Sequence, residues 1–195
     1  MPLVDGLFTV AGLPAHPLLV DAVAVLLPLA TVCSIGLAVH RRVRRRFGWP
    51  VFVLTAVAVA AVPLAEATGV QLRNHLAAPN SLLARHEALG GQLLPWALGF
   101  GVAVLLLVVA GKLADRERAA SIRSEHGNEH GNGHSNGHGT EQAVGPDRVG
   151  GVSTTWRRIS VLASVLVIGM SVVTTVDVIR IGTTGAQAVW QGVAH

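Results

Sequence analysis

The sequence has a single cysteine, a single lysine and few charged residues, and each scarcity narrows the class of protein. Cys33 has no second cysteine to pair with. This excludes an internal disulfide and a cysteine-based zinc or iron–sulfur site within the chain. Charged residues make up 13% and hydrophobic residues 51% of the chain, which is far from the balance of a soluble domain. Since arginine greatly outnumbers lysine, the composition also favours a GC-rich bacterial gene.

The hydrophobic residues fall into long continuous blocks. A bilayer core requires about 20 apolar residues in a helix. The segments that meet this length are Leu18–Val39, Val51–Val70, Leu89–Ala110 and Ile159–Ile181. They are too continuous for the alternating pattern of barrel strands, and only helices or closed barrels satisfy their backbone in lipid. The sequence therefore predicts an all-α, integral membrane four-helix bundle.

Basic residues are distributed unevenly among the connections between these spans. The first connection carries five arginines between Arg41 and Arg46, and the third carries Lys112 and six arginines, whereas the second carries only Arg73 and Arg85. By the positive-inside rule, the first and third connections are cytoplasmic and both termini face outward. No basic residue precedes the first span, so we expect an uncleaved anchor. The predicted location is the bacterial cytoplasmic membrane, and the positive charge indicates topology and lipid contact, with no nucleic-acid partner.

The third connection has a low-complexity composition. Glycine and asparagine disfavour a helix there and nothing can form a core, so we predict a charged helix end followed by a disordered tether. Histidines recur in it every four residues, at His126, His130, His134 and His138. They can bind Ni²⁺, Zn²⁺ or Cu²⁺ weakly; the alternative is a low-complexity insert. The predicted organisation is three spans in 1–111, the loop in 112–155, and a fourth span with an outer tail in 156–195.

Ionisable residues gather at the ends of the spans that are predicted to face outward. His16 and Asp21 begin the first span, Glu66 and Arg73 end the second, His86 and Glu87 begin the third, and Asp177 and Arg180 end the fourth. Such groups are costly in a membrane and usually face the bundle interior. This one-sided cluster therefore predicts a functional site near the outer face.

Two histidines of this cluster are candidate ligands. His16 and His86 begin spans that run in the same direction, so we expect their imidazoles at one depth. Facing imidazoles in a helical bundle can bind a metal ion or the iron of haem b. Gly90 follows His86 on the same helical face, in a groove that continues through Ala97 and Gly101. Such a groove admits either a macrocycle or a neighbouring helix.

The remaining ionisable residues have two interpretations. Glu66, Asp177 and Arg180 would orient a ligand or meet haem propionates in a cofactor site. Alternatively, Asp177 and Arg180 form a structural pair on one helix, and Glu66 pairs with Arg73. The histidines themselves are interfacial residues in that second interpretation.

Four sequence blocks resemble the bacterial membrane-protein family known as domain of unknown function 2231. The blocks are GLPAHPLLVDAVAVLLP from Gly12, AEATG from Ala65, HEALG from His86 and GTTGAQAVWQG from Gly182. The resemblance covers nearly the whole chain except the histidine-rich tether. It implies a four-span membrane unit. Some members are joined to cytochrome c-like or Rieske-type modules, which implies electron transfer.

We therefore predict a small redox subunit that binds haem b or a metal ion at a pair of histidines near the outer face. A non-catalytic scaffold or assembly subunit is the alternative, and a metal or proton transporter is a weaker one, because no inverted repeat or broken helix is evident. We find no nucleophile–base spacing, phosphate-binding loop or metalloprotease motif in the sequence. The expected partners are the lipid bilayer, redox or other membrane proteins, and further copies of the chain.

Overall fold

The computed structural model describes residues 9–10, 13–75, 81–129 and 151–190. A short antiparallel hairpin of β1 (Thr9–Val10) and β2 (Leu13–Pro14) precedes four helices. The helices are α1 (Ala15–Val39), α2 (Arg41–His75), α3 (Ser81–Glu129) and α4 (Gly151–Trp190). The prediction of a helical protein with four apolar helices is confirmed.

Each helix contains a stretch that is long and apolar enough to cross a membrane. Large apolar side chains also point outward from the bundle, such as Val32, which is 68% exposed, and Leu162, which is 69% exposed. A helix that is apolar on its outer as well as its inner face is typical of a membrane span. The fold is therefore that of a multi-pass membrane protein.

The helices extend beyond the apolar spans into 112–155, the segment for which a charged helix end and then a tether were predicted. Helix α3 continues to Glu129, and α4 already begins at Gly151. The extension of α3 is rich in alanine, arginine and glutamate, which have high helix propensity and need no lipid around them. It includes residues 125–129, where the composition predicted no helix. The rest of the predicted tether, 130–150, lies outside the described residues.

The helices form a ring in which each packs against its neighbours in the chain and α4 packs against α1. Helices α1 and α2 are separated only by His40, whose amide donates to the Gly36 carbonyl and whose carbonyl accepts from the Arg44 amide, both at 3.0 Å. We call the end where α1 and α3 begin the histidine end, because it contains His16 and His86. The opposite end, where α2 begins, is the arginine end.

Apolar side chains fill the centre of the bundle, and hydroxyl groups line the contact between α1 and α4. Leu27, Phe100 and Val167 are completely buried. The hydroxyls of Thr31 and Thr175 lie 3.3 Å apart across the contact of α1 with α4. Lipid provides no hydrophobic drive for helix association, so small residues and interhelical hydrogen bonds stabilise such contacts.

Candidate functional site

His16 is half-buried in the first turn of α1 and is held against α2. Its Nδ1 lies 3.0 Å from the carbonyl oxygen of Ala65. Because a carbonyl only accepts, Nδ1 carries a proton in this contact, and in the neutral ring Nε2 then keeps its lone pair. The Thr68 hydroxyl lies 3.4 Å from the same Nδ1 and donates to the carbonyls of Leu64 and Ala65 at 3.0 Å.

Gly69 provides the space for this ring. A Cβ atom added to Gly69 would lie 2.9 Å from His16 Cε1 and 3.2 Å from Nδ1. Any other residue at position 69 would therefore press against the imidazole. The ring packs directly on the α2 backbone because Gly69 has no side chain.

His86 makes the equivalent contacts between α3 and α4. Its Nδ1 lies 3.1 Å from the carbonyl oxygen of Ile181. The Thr184 hydroxyl donates to the carbonyls of Arg180 and Ile181 at 3.0 and 2.9 Å. A Cβ atom on Gly185 would lie 3.1 Å from His86 Cε1. This imidazole is therefore also fixed through Nδ1, and in the neutral ring its Nε2 is left as an acceptor.

The two sites are copies of one motif. In each, the accepting carbonyl lies three residues before a threonine and four before the glycine under the ring. The sequence Thr-Gly-x-Gln occurs at Thr68–Gln71 and again at Thr184–Gln187. The hairpins α1–α2 and α3–α4 run in the same direction, as in parallel repeats related by an axis along the membrane normal. Sequence analysis missed this repeat because the connection between α3 and α4 shifts its spacing.

The bundle brings both histidines to the same end on helices that are not neighbours in the ring. His16 lies in the first turn of α1, and His86 lies in the second turn of α3. Among the described residues, no group of three or more His, Cys, Asp or Glu side chains is arranged to hold a metal ion. Metal binding here would therefore depend on the two imidazoles, together with ligands from outside the described side chains.

The small-residue groove of α3 is occupied for part of its length by α2. A Cβ atom on Gly101 would lie 3.5 Å from the Val59 side chain, and Ala97 is completely buried. Gly90, nearer to His86, has nothing within 4 Å of its Cβ position. The groove is thus a helix contact around Ala97 and Gly101, and it is open at Gly90.

The ionisable residues around the histidines are arranged differently from the sequence-based pairs. Arg73 donates to Glu87 at 2.8 Å, which joins the end of α2 to the beginning of α3, so the predicted pair with Glu66 is wrong. Glu66 Oε1 is buried without a hydrogen-bond partner among the described side chains. Asp177 is half-buried and Arg180 is exposed, and no ion pair within the described part of the chain joins them. Among the described hydrogen bonds of the two imidazoles, none involves Asp177 or Arg180.

The histidines of the third connection are not among the described side chains. His126 falls within α3, and His130, His134 and His138 lie outside the described residues. Their weak metal binding stays a prediction.

The geometry of His16 and His86 fits that of metal-binding imidazoles. Such histidines commonly donate their second ring nitrogen to a backbone carbonyl, which fixes the tautomer and orients the ligating nitrogen. Both rings have this feature, since Nδ1 is engaged and Nε2 has a lone pair. No protein-family model, no curated protein and no solved structure matches the chain.

Proposed function

We propose that the protein is a small membrane redox subunit in which His16 and His86 bind haem b or a transition-metal ion through Nε2. The observation that carries this proposal is the duplicated anchoring of the two imidazoles. Each donates from Nδ1 to a carbonyl of the next helix, Ala65 in one hairpin and Ile181 in the other. Two orientationally fixed ligands at the same end of a bundle suit an axial pair.

The residues around the pair have defined roles in this proposal. The carbonyls of Ala65 and Ile181 orient the rings and raise the basicity of Nε2. The Glu66 carboxyl, whose Oε1 has no hydrogen-bond partner among the described residues, supplies a polar group on α2, one residue after the carbonyl that holds His16. When bound, haem supplies one-electron transfer; the protein supplies orientation and a largely apolar surrounding.

Purification from membranes in mild detergent, followed by spectroscopy and metal analysis, tests the proposal. We expect a reduced-minus-oxidised difference spectrum of a haem with two imidazole ligands, or else stoichiometric transition metal. A protein produced with abundant haem and metal that contains neither would contradict the proposal.

The same geometry favours a second candidate, a scaffold or assembly subunit without a cofactor. Both rings already serve as helix contacts, since each packs on a glycine of the partner helix. In this alternative the duplicated motif stabilises two hairpins that present their outer faces to another membrane protein or to a second copy of the chain. Substitutions that remove the function of Nε2 but keep that of Nδ1 distinguish the redox subunit from the scaffold.

We also propose that the histidine end faces outward and that the arginine end faces the cytoplasm of a bacterial cell. The arginines near Arg41 support this orientation by the positive-inside rule. In a Cys33→Ser background, we expect a membrane-impermeant maleimide to label Thr183→Cys in intact cells, because Thr183 is exposed at the histidine end. Arg42→Cys should be labelled only after permeabilisation. The reverse pattern would show the opposite orientation.

A further inference from the structure

The arginine end contains a cavity that the proposed function does not use. It has a volume of about 200 Å³ and lies among residues from all four helices. Its polar lining consists of Arg41, Arg44, Arg118, Arg157, Ser160 and Ser164. None of the described residues that line it carries a carboxylate, so positive charge is concentrated in the cavity.

The nearest carboxylate is already engaged by other arginines. Asp115 pairs with Arg41 and, at 2.7 Å, with Arg45, and Arg118 lies 4.0 Å from it. Arg44 and Arg157 form no ion pair with the described acidic side chains. The cavity therefore keeps two cationic side chains that no described carboxylate pairs with directly.

A buried hydroxyl faces this charge without a partner. Ser160 is 8% exposed and lines the cavity, and its Oγ has no hydrogen-bond partner among the described residues. The neighbouring Ser164 differs, because its hydroxyl donates to the Ser160 carbonyl at 2.8 Å. A buried hydroxyl usually finds a partner, so Ser160 indicates a ligand with an acceptor oxygen.

The backbone of α3 makes room for one of the arginines. A Cβ atom on Gly111 would lie 2.9 Å from Arg44 Nε, so the Arg44 side chain lies directly over this glycine. Gly111 and Arg44 both line the cavity. The close approach of Arg44 to the α3 backbone at Gly111 therefore helps to fix its guanidinium in the cavity.

The cavity adjoins a shallow apolar groove on the exposed side of α4. This groove is lined by Arg157, Arg158, Val161 and Leu162, and its volume is about 390 Å³. Arg157 and Val161 line both spaces. Leu162 is 69% exposed. A ligand with an anionic head and an apolar chain would match the two spaces together.

We propose that this site binds an anionic phospholipid, with its phosphate among Arg44, Arg157 and Ser160 and an acyl chain along Val161 and Leu162. Arginine binds phosphate oxygens through paired N–H groups, and the Ser160 hydroxyl would donate to the same phosphate. Basic pockets between membrane helices bind anionic lipid head groups in this way. The adjoining apolar groove favours a lipid over free phosphate as the source of the anion.

The test uses the full-length protein in phosphatidylcholine nanodiscs with an increasing fraction of phosphatidylglycerol. Native mass spectrometry measures how much phosphatidylglycerol is retained. We expect Arg44→Gln and Arg157→Gln each to lower the affinity about fivefold, the effect of one basic residue near a charged lipid surface. Ser160→Val removes the hydroxyl and fills part of the cavity without changing any charge, and it should also lower retention.

Arg42→Gln is the matched control, because Arg42 is exposed at the same end and lines neither space. Unchanged retention in this variant, with losses in the other three, supports the site. Equal losses in Arg42→Gln and Arg157→Gln, or full retention in Ser160→Val, would overturn it in favour of diffuse surface attraction. Binding of inorganic phosphate in pure phosphatidylcholine, with no preference for phosphatidylglycerol, would also overturn the lipid assignment. Circular dichroism verifies that each variant is folded.

Discussion

Replacing His16 or His86 with asparagine is expected to abolish the haem or metal signal of the purified protein while the bundle stays folded. The asparagine side-chain nitrogen occupies a position equivalent to imidazole Nδ1. It can therefore donate to the Ala65 or Ile181 carbonyl as the native ring does. Asparagine has no atom equivalent to Nε2, so the proposed metal ligand is lost.

Two further substitutions at the same positions separate hydrogen bonding from ligation. In glutamine the amide lies nearer to the Nε2 position, so the carbonyl contact is lost, and in alanine both functions are lost. An intramolecular hydrogen bond contributes about 1 kcal/mol to stability. We therefore expect the alanine and glutamine variants to be about 1 kcal/mol less stable than the asparagine variants in detergent unfolding followed by circular dichroism.

The outcomes distinguish the redox subunit from the scaffold. An asparagine variant that keeps its haem or metal content would show that Nε2 is not a ligand. Loss of the signal from both asparagine variants at retained stability supports the axial pair. If native protein and variants all lack a cofactor and differ only in stability, the scaffold is the better description.

The main fold was predictable from the sequence because membrane insertion imposes long apolar helices. The spans Leu89–Ala110 and Ile159–Ile181 lie inside α3 and α4, and His16 and His86 lie in early turns of helices that start at the same end. The lengths of the helices were not predictable from hydropathy. The segment from Lys112 to Glu129 is polar, and a helix there depends on propensity and not on the membrane.

The contacts of the histidines could not be derived from one helix at a time. The predicted groove along α3 placed Gly90 on the face of His86, but the glycine that the ring touches is Gly185 on α4. Arg73 likewise pairs across helices with Glu87 and not along its own helix. Helical phase gives the direction of a side chain, whereas the rotation of its neighbour decides which backbone it meets.

The glycine under each ring leads to a prediction with a large effect. Gly69→Ala places a Cβ atom 2.9 Å from His16 Cε1, so the ring has to move and its hydrogen bond to Ala65 is strained or broken. The matched control is Gly182→Ala, because nothing lies within 4 Å of that Cβ position. Alanine in an open helix position is favourable by up to about 1 kcal/mol relative to glycine. Overpacking costs about 1–3 kcal/mol, so Gly69→Ala should be less stable than this control by that amount.

The second copy of the motif and a double variant make this prediction specific to the ring contact. Gly185→Ala should be less damaging than Gly69→Ala, because its Cβ atom would lie 3.1 Å from His86 Cε1 and needs a smaller shift. In a His16→Ala background the clash at Gly69 no longer exists, so Gly69→Ala should become neutral or favourable there. Thermal unfolding of the four proteins of this double-mutant cycle in detergent measures the coupling. Additive effects of the two substitutions would mean that the His16 imidazole does not pack on α2. The proposed axial pair depends on that packing, so this result would contradict it.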